Sequence, residues 1–326
     1  MFNTLRFATC ASLITLGGFA SSASAAELKV VASFSIIADF ARNVGGDRVE
    51  ISSLVGTDGD AHAYEPRAAD AAALEGADVV LVNGLQFEGF MSRLIEASGT
   101  KASVVEVTKG IDPLKSAEEE HDHEAQEKAG AGHDHEKEAH DQAHEGHHHG
   151  EYDPHAWQSI NNAEIYVKNI ADAFCEADKA GCTTYTANSE AYIAKLGKLE
   201  AEVKAAIEAI PADKRTVITS HDAFGYFEHE NGLKFIAPEG ISTEAEASAA
   251  DVAKLIDQVK HDKASAIFLE NITNPRLIEQ ISTETGIKIG GTLYSDALSR
   301  NDGPASTYID MIRYNVNTLK AAILGS

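Results

Sequence analysis

Basic side chains are scarce in this 326-residue chain: 27 Lys and Arg stand against 51 Asp and Glu, a formal net charge of −24. No basic patch interrupts the excess, so the surface repels nucleic acid and anionic lipid and suits a protein that attracts cations. Cysteine is nearly absent, at three residues with no CxxC pair. Apolar runs are short. The longest, Phe7 to Phe19, follows Arg6, contains Thr9, Ser12 and Thr15, and precedes Ala23-Ser24-Ala25. It is too short to span a membrane comfortably and reads as a signal peptide over 1–25 with a small-residue cleavage site. The mature chain is therefore expected to start near Ala26. Cys10 follows Phe7-Ala8-Thr9, which lacks a lipoprotein signal pattern, so a free exported protein is expected over a lipid-anchored one. Cys175 and Cys182 remain, and in an oxidising compartment so close a pair in a polar loop reads as a local disulfide.

About 300 mature residues are too many for one comfortable core and suit two domains. From Leu28 short β-branched runs alternate with helical patterns: strands at 28–33, 49–55, 78–84 and 102–107, with helices at 36–44, 67–74 and 88–97 between them. Such alternation implies right-handed βαβ units and a parallel sheet. A helix capped by Asn161 or Asn162 runs to the Cys175–Cys182 turn. A longer one, about 184–210, keeps Tyr192, Leu196, Leu199, Val203, Ala206 and Ile210 at 3–4 spacing until Pro211. The alternation then resumes, with strands at 215–220, 234–237, 265–270 and 287–291, helices at 222–231, 248–261 and 274–285, and a last helix over about 305–324. The reading is two α/β lobes with parallel sheets, 26–183 and 211–326, joined by the helix at 184–210. A single helix lacks hinge residues, which predicts modest closure.

Histidine is concentrated. Nine of the fourteen, His121, His123, His133, His135, His140, His144, His147, His148 and His149, lie in a stretch from about 116 to 150 that mixes them with Asp, Glu, Gly and Ala. Ser116 to Glu151 holds twelve acids against Lys128 and Lys137, a local balance of −10 that leaves −14 for the rest. Such a segment cannot build a core and is expected to be a disordered loop grafted onto the folded protein, able to collect borderline metal ions at weak sites. The alternative is a solvated acidic linker with incidental metal affinity.

Three isolated histidines are more telling. His62 lies in GDAHAYEP, His155 in YDPHAW and His221 in TSHDAFGYF, while Asp296 lies in LYSDALS. All four fall at or beyond the C-terminal ends of predicted strands, where open α/β sheets bind ligands. Singly, each reads as a solvated, capping or turn residue. Together they make a His₃Asp set suited to tetrahedral Zn²⁺. Tyr64, Trp157, Phe224, Tyr226, Phe227 and Tyr294 are candidates for an apolar collar or for ordinary packing. Glu270, in FLENITNP, is either a further carboxylate ligand, a residue orienting a ligand imidazole, or a helix-start acid.

These four motifs, in this order and interrupted by a His/acid loop before DPHAW, resemble the cluster A-I metal-binding solute-binding proteins of ABC importers, and most nearly the zinc-specific ZnuA type. The resemblance spans the mature chain. It implies two (β/α)₄ lobes joined by one long rigid helix, with metal in the cleft between them held by His62, His155, His221 and Asp296. Manganese and iron members typically carry Glu where this chain has His221. Ala61 stands where many members have proline. The implied role is periplasmic Zn²⁺ capture without catalysis, by a monomer that delivers to an inner-membrane permease with its cytoplasmic ATPase. A periplasmic zinc chaperone is a further possible partner, and the loop is implied in capture or sensing. A zinc hydrolase and a passive metal buffer or adhesin are the competing classes.

Overall fold

The computed structural model describes residues 28–116, 150–245 and 247–325. The expected signal peptide and the histidine-rich stretch, with all nine of its histidines, lie outside the described residues.

The first sheet contains β1 (Leu28–Phe34), β2 (Val49–Val55), β3 (Val79–Val82) and β4 (Ser103–Glu106), all parallel, in the order β2-β1-β3-β4. Its central strands are almost wholly buried, as expected of parallel strands covered on both faces. The helices are α1 (Ser35–Gly45), α2 (Ala68–Glu75) and α3 (Met91–Ser98). Two helices follow, α4 (Ile160–Ala177) and α5 (Cys182–Glu208). The second sheet repeats the first, with β5 (Thr216–Ile218), β6 (Lys234–Ile236), β7 (Ala266–Glu270) and β8 (Ile289–Leu293) parallel in the order β6-β5-β7-β8. Its helices are α6 (Gly225–Asn231), α7 (Ala249–Asp262), α8 (Arg276–Thr285) and α9 (Tyr308–Leu324). In each sheet the strand order reverses beside the first strand, which opens a crevice at the carboxyl ends. Both crevices serve one cleft.

Helix α5, about 40 Å long at 1.5 Å per residue, buries Tyr185, Ser189, Tyr192, Leu196, Leu199, Val203 and Ile207 along one stripe. It packs on α1 and α4 of the first lobe and α9 of the second, so one hydrophobic core runs through both lobes, including Phe224, Phe268, Tyr308 and Met311. The far face of the second sheet has a separate, smaller core, with Ile218, Ile267, Leu255, Val259, Ile278 and Ile281 under α7 and α8. At the lobe junction, Asp39 of α1 accepts a hydrogen bond from the Tyr308 N–H at the start of α9 (3.0 Å) and one from the Tyr192 hydroxyl (3.4 Å). Burial pushes its carboxyl pKa up.

Cys175 and Cys182 form a disulfide across the α4–α5 turn. Asp178, in that turn, accepts from Arg48 (2.7 Å) and the Tyr185 hydroxyl (2.8 Å). Several boundaries differ from expectation for local reasons. Ser159, rather than Asn161 or Asn162, caps α4 by accepting from the Asn162 N–H. Strand β8 lies two residues later than expected, its register with β7 shifting between Ile267 and Phe268. Gly290 there lies against Ala322 of α9 and the Phe268 ring, leaving no room for a Cβ. Among the described residues no helix is long and apolar enough to cross a membrane.

Candidate metal centre

Four side chains from both lobes converge at the cleft. His62 stands on the loop after β2, and His155 in the turn before α4. His221 and Asp296 each follow a strand of the second sheet by three residues. All are buried, His221, His155 and Asp296 completely. One atom from each lies within 4.8 Å of the others, and no other such group occurs among the described residues. Asp296 Oδ2 is 3.2 Å from His62 Nε2, 3.2 Å from His221 Nε2 and 3.7 Å from His155 Nε2, while the Nε2 atoms of His62 and His155 are 3.3 Å apart. A tetrahedron with 2.0–2.1 Å metal bonds has edges of about 3.3 Å. Four of the six donor-to-donor edges, at 3.2–3.7 Å, are thus close to those of a small four-coordinate ion, and all six lie within 4.8 Å. The second Asp296 oxygen, Oδ1, is buried without a hydrogen-bond partner, a costly state that a cation in the cluster relieves.

Two of the histidines are braced from behind by carboxylates. Asp153 Oδ1 accepts from both the backbone N–H of His155 (2.9 Å) and its Nδ1 (2.8 Å), which leaves the Nε2 lone pair for a metal. Glu270, the last residue of β7, does the same from the other lobe. Its Oε1 accepts from the N–H groups of Ser220 (2.7 Å) and His221 (2.9 Å), and its Oε2 lies 2.7 Å from His221 Nδ1, off the ideal hydrogen-bond line. Glu270 therefore stands behind the ring, outside the four-atom cluster. His62 differs. Asp60 Oδ1 fixes its backbone N–H at 2.9 Å, but among the described residues no carboxylate lies within ion-pair reach of its Nδ1. Asp60 instead spends its other oxygen on Thr243 of the second lobe (2.6 Å).

The electrostatics follow. Burial disfavours the charged forms of both His221 and Asp296, yet Glu270 and Asp296 together hold His221 well above the usual histidine range. His221 and His155 likewise hold Asp296 well below the usual carboxylate range. Burial lowers His62 despite Asp296 beside it, which keeps its ring neutral and its lone pair available. Asp222, next to the site, is pushed up to about 6, chiefly by burial and then by Asp153.

The expected aromatic collar is only partly realised. Trp157 packs edge-on against His155 (5.3 Å between centroids), and its Nε1 donates to the Ser295 carbonyl across the cleft (2.9 Å). The other candidates serve elsewhere. Phe224 and Phe227 pack on Phe235, Tyr294 on Tyr314 and Tyr64 on Phe90, while Tyr226 donates to the Asp153 carbonyl (2.8 Å). The sequence reading missed Phe87, whose ring lies edge-to-face on His62 (4.7 Å) and near His155 (5.9 Å). It is delivered by three successive residues with positive φ, Gly84, Leu85 and Gln86. Left-handed conformation costs a non-glycine residue about 1–2 kcal/mol, so this loop is held by its surroundings. Glu88 holds it, its carboxylate accepting from the N–H groups of Asn83 (2.7 Å) and Gly84 (3.3 Å). Beside the same loop lies Gly150, and Lys115 bridges Tyr152. The two ends of the histidine-rich stretch thus meet next to the site.

A model of the family described as the zinc-uptake complex component A, periplasmic, matches residues 30–322. The chain is 32% identical to the iron-binding protein YfeA of Yersinia pestis over 98% of its own length and 94% of the relative's. It is 31% identical to the manganese-binding lipoprotein MntA of Halalkalibacterium halodurans, over 91% of this chain and 88% of that one. Among solved structures, the periplasmic zinc-binding protein TroA of Treponema pallidum superposes with a TM-score of 0.78 at 28% identity, covering 91% of this chain and 99% of that chain. A manganese-bound periplasmic metal-binding protein of Candidatus Liberibacter asiaticus superposes at 0.75 and 28% identity, covering 91% and 100%.

Proposed function

Since the chain belongs to the ZnuA family of periplasmic metal-binding proteins, the solute-binding components of ABC importers and not enzymes, we propose that its cargo is Zn²⁺, bound by His62, His155, His221 and Asp296. The observation that carries this reading is the donor set itself, three imidazole nitrogens and one carboxylate oxygen within 4.8 Å of one another, with four of their six edges at 3.2–3.7 Å. Three borderline nitrogen donors suit Zn²⁺, whereas Mn²⁺ and Mg²⁺ favour oxygen-rich sites of higher coordination. Relatives named for iron and manganese make the metal the point to test. In this reading the protein works as a monomer in the periplasm and hands its ion to the permease. The histidine-rich stretch, whose ends meet beside Gln86, captures Zn²⁺ weakly and raises its local concentration at the cleft.

Affinity alone does not decide cargo, because Zn²⁺ outcompetes Mn²⁺ at nearly any nitrogen site. Transport does. A strain lacking the protein is expected to stop growing in chelated medium and to recover with added zinc but not manganese or iron. Recovery with manganese or iron alone overturns the zinc assignment. Calorimetry on the full chain and a 116–150 deletion is expected to show one tight site in both, with weaker sites only in the full chain. Loss of the tight site on deletion overturns the cleft assignment.

A further inference from the structure

The three histidine rings lie 5.4–5.7 Å apart, centroid to centroid, yet they are not held alike. Asp153 and Glu270 tether His155 and His221 through their Nδ1 atoms. His62 has no such carboxylate on its Nδ1 among the described residues: behind the donor nitrogen it is tethered only through its backbone N–H, by Asp60. Unrestrained, its ring would turn about χ1 and χ2 away from Asp296 and His155, and the donor set would open. What stands against it is Phe87, 2% exposed and itself backed by Phe34 (5.0 Å) and Trp157 (4.7 Å).

The geometry points to Phe87 as the positioning residue for His62. Its ring presses that imidazole toward His155 and keeps the four donors at the short edges that a small four-coordinate ion requires. Phe87 touches both first-lobe rings, whereas no second-lobe donor lies in ring contact with it. The backbone that presents it is built for the purpose: positive φ at Gly84, Leu85 and Gln86 turns the chain sharply after β3, and the buried Glu88 pins Asn83 and Gly84. Strained left-handed residues persist where surrounding structure over-determines them, and such sites cluster at ligand clamps. Asn83, clamped by Glu88, also donates to the Pro154 carbonyl (2.9 Å) and accepts from the Tyr166 hydroxyl (2.6 Å). One network therefore sets both Phe87 and the turn carrying His155. The consequence is for selectivity. A donor set free to widen accepts larger ions and extra water ligands, so Phe87 favours Zn²⁺ over Mn²⁺.

This inference rests on the four-coordinate reading above, and Co²⁺ separates the two. Tetrahedral Co²⁺ absorbs strongly in the visible, while five- and six-coordinate Co²⁺ absorbs weakly. Full-length protein loaded with Co²⁺ is expected to give the intense band, and Phe87→Ala to lose most of it. Zn²⁺ affinity should fall about 10–100-fold, the loss typical of groups that orient a metal ligand, with a smaller loss for Mn²⁺. A merely structural role would lower both affinities alike and leave the band shape unchanged. Should Phe87→Ala not fold, Phe87→Val carries the test with the same direction at reduced size. A strong wild-type band that persists in the folded variant overturns the role of Phe87 alone. A weak wild-type band overturns the four-coordinate reading and this inference with it.

Discussion

In the second lobe His221 and Asp296 follow strand ends by three residues, and Glu270 is itself the last residue of a strand. In the first lobe His62 follows β2 by seven residues, and His155 lies beyond the whole stretch after β4. The sheets have the same strand order, but one holds its donors by the sheet and the other by loops. Loop donors need local braces, and the first lobe supplies them: Asp60 and Asp153 two residues before each histidine, Asn83 on the Pro154 carbonyl, and Phe87 on the rings. A short strand-end connection needs fewer. Precision in the first lobe is thus achieved by side-chain networks, and in the second by the strands themselves.

Removing one donor from each lobe breaks this comparison most sharply. His221→Ala leaves Glu270 and Asp296 buried without their shared counter-charge, which typically costs about 3–5 kcal/mol. His62→Ala removes a neutral ring, for which about 1 kcal/mol is usual. Both are expected to lose tight metal binding, but urea unfolding of the metal-free proteins should separate them. Equal destabilisation would mean that His221 is uncharged in the metal-free state. Next come the braces. Asp153→Asn and Glu270→Gln are each expected to weaken Zn²⁺ binding about 10–100-fold, measured by competition with a chromophoric chelator. A loss confined to Glu270→Gln would show that Phe87 and Asn83 suffice in the first lobe.

Acidity gives a third test. The folded His221 value is raised, so its contribution to metal-free stability is complete below the ordinary value of about 6.5 and is lost as pH rises through the raised value. Metal affinity runs the other way, because the ion must displace that proton, and it should rise about tenfold per pH unit for each proton released. Calorimetry in buffers of different ionisation enthalpy counts the protons, and no release would refute the charged His221. The smallest effect is at the lobe-to-lobe bond from Thr243 to Asp60. Thr243→Val should cost about 0.5–1.5 kcal/mol and raise hydrogen exchange on the loop carrying His62, with the second-lobe donors unaffected.

Much of the fold was legible because parallel β/α units write themselves as β-branched runs and 3–4 spacing. Strand β2 matches its expected range, and the stripe of α5 matches at Tyr192, Leu196, Leu199 and Val203. The misses cluster at the site. FEGF reads as the start of a helix at Glu88, yet α3 starts at Met91 because the Glu88 carboxylate turns back onto Asn83 and Gly84. Likewise α6 starts at Gly225 and not at 222, because the Ala223 N–H closes a tight turn onto the His221 carbonyl and the first helical bond runs from the Glu228 N–H to the Phe224 carbonyl. The four convergent residues were visible as motifs because each stands in an irregular segment beyond a strand and outside any periodic run. Phe87 was not, since one buried aromatic among twelve Phe carries no periodic signal, and three successive positive φ values cannot be read from Gly-Leu-Gln.

The divided core has a mechanical consequence. The inner face of the second sheet is welded through α5 and α9 to the first lobe, whereas α7, α8 and the outer sheet face rest on their own small cluster. A force applied across the cleft therefore meets unequal stiffness. The outer layer can shear or partly melt as a unit while the spine around Tyr192 and Tyr308 stays intact. Such an event would slacken β5 and β7, the strands that present His221 and Glu270, before anything in the first lobe moves.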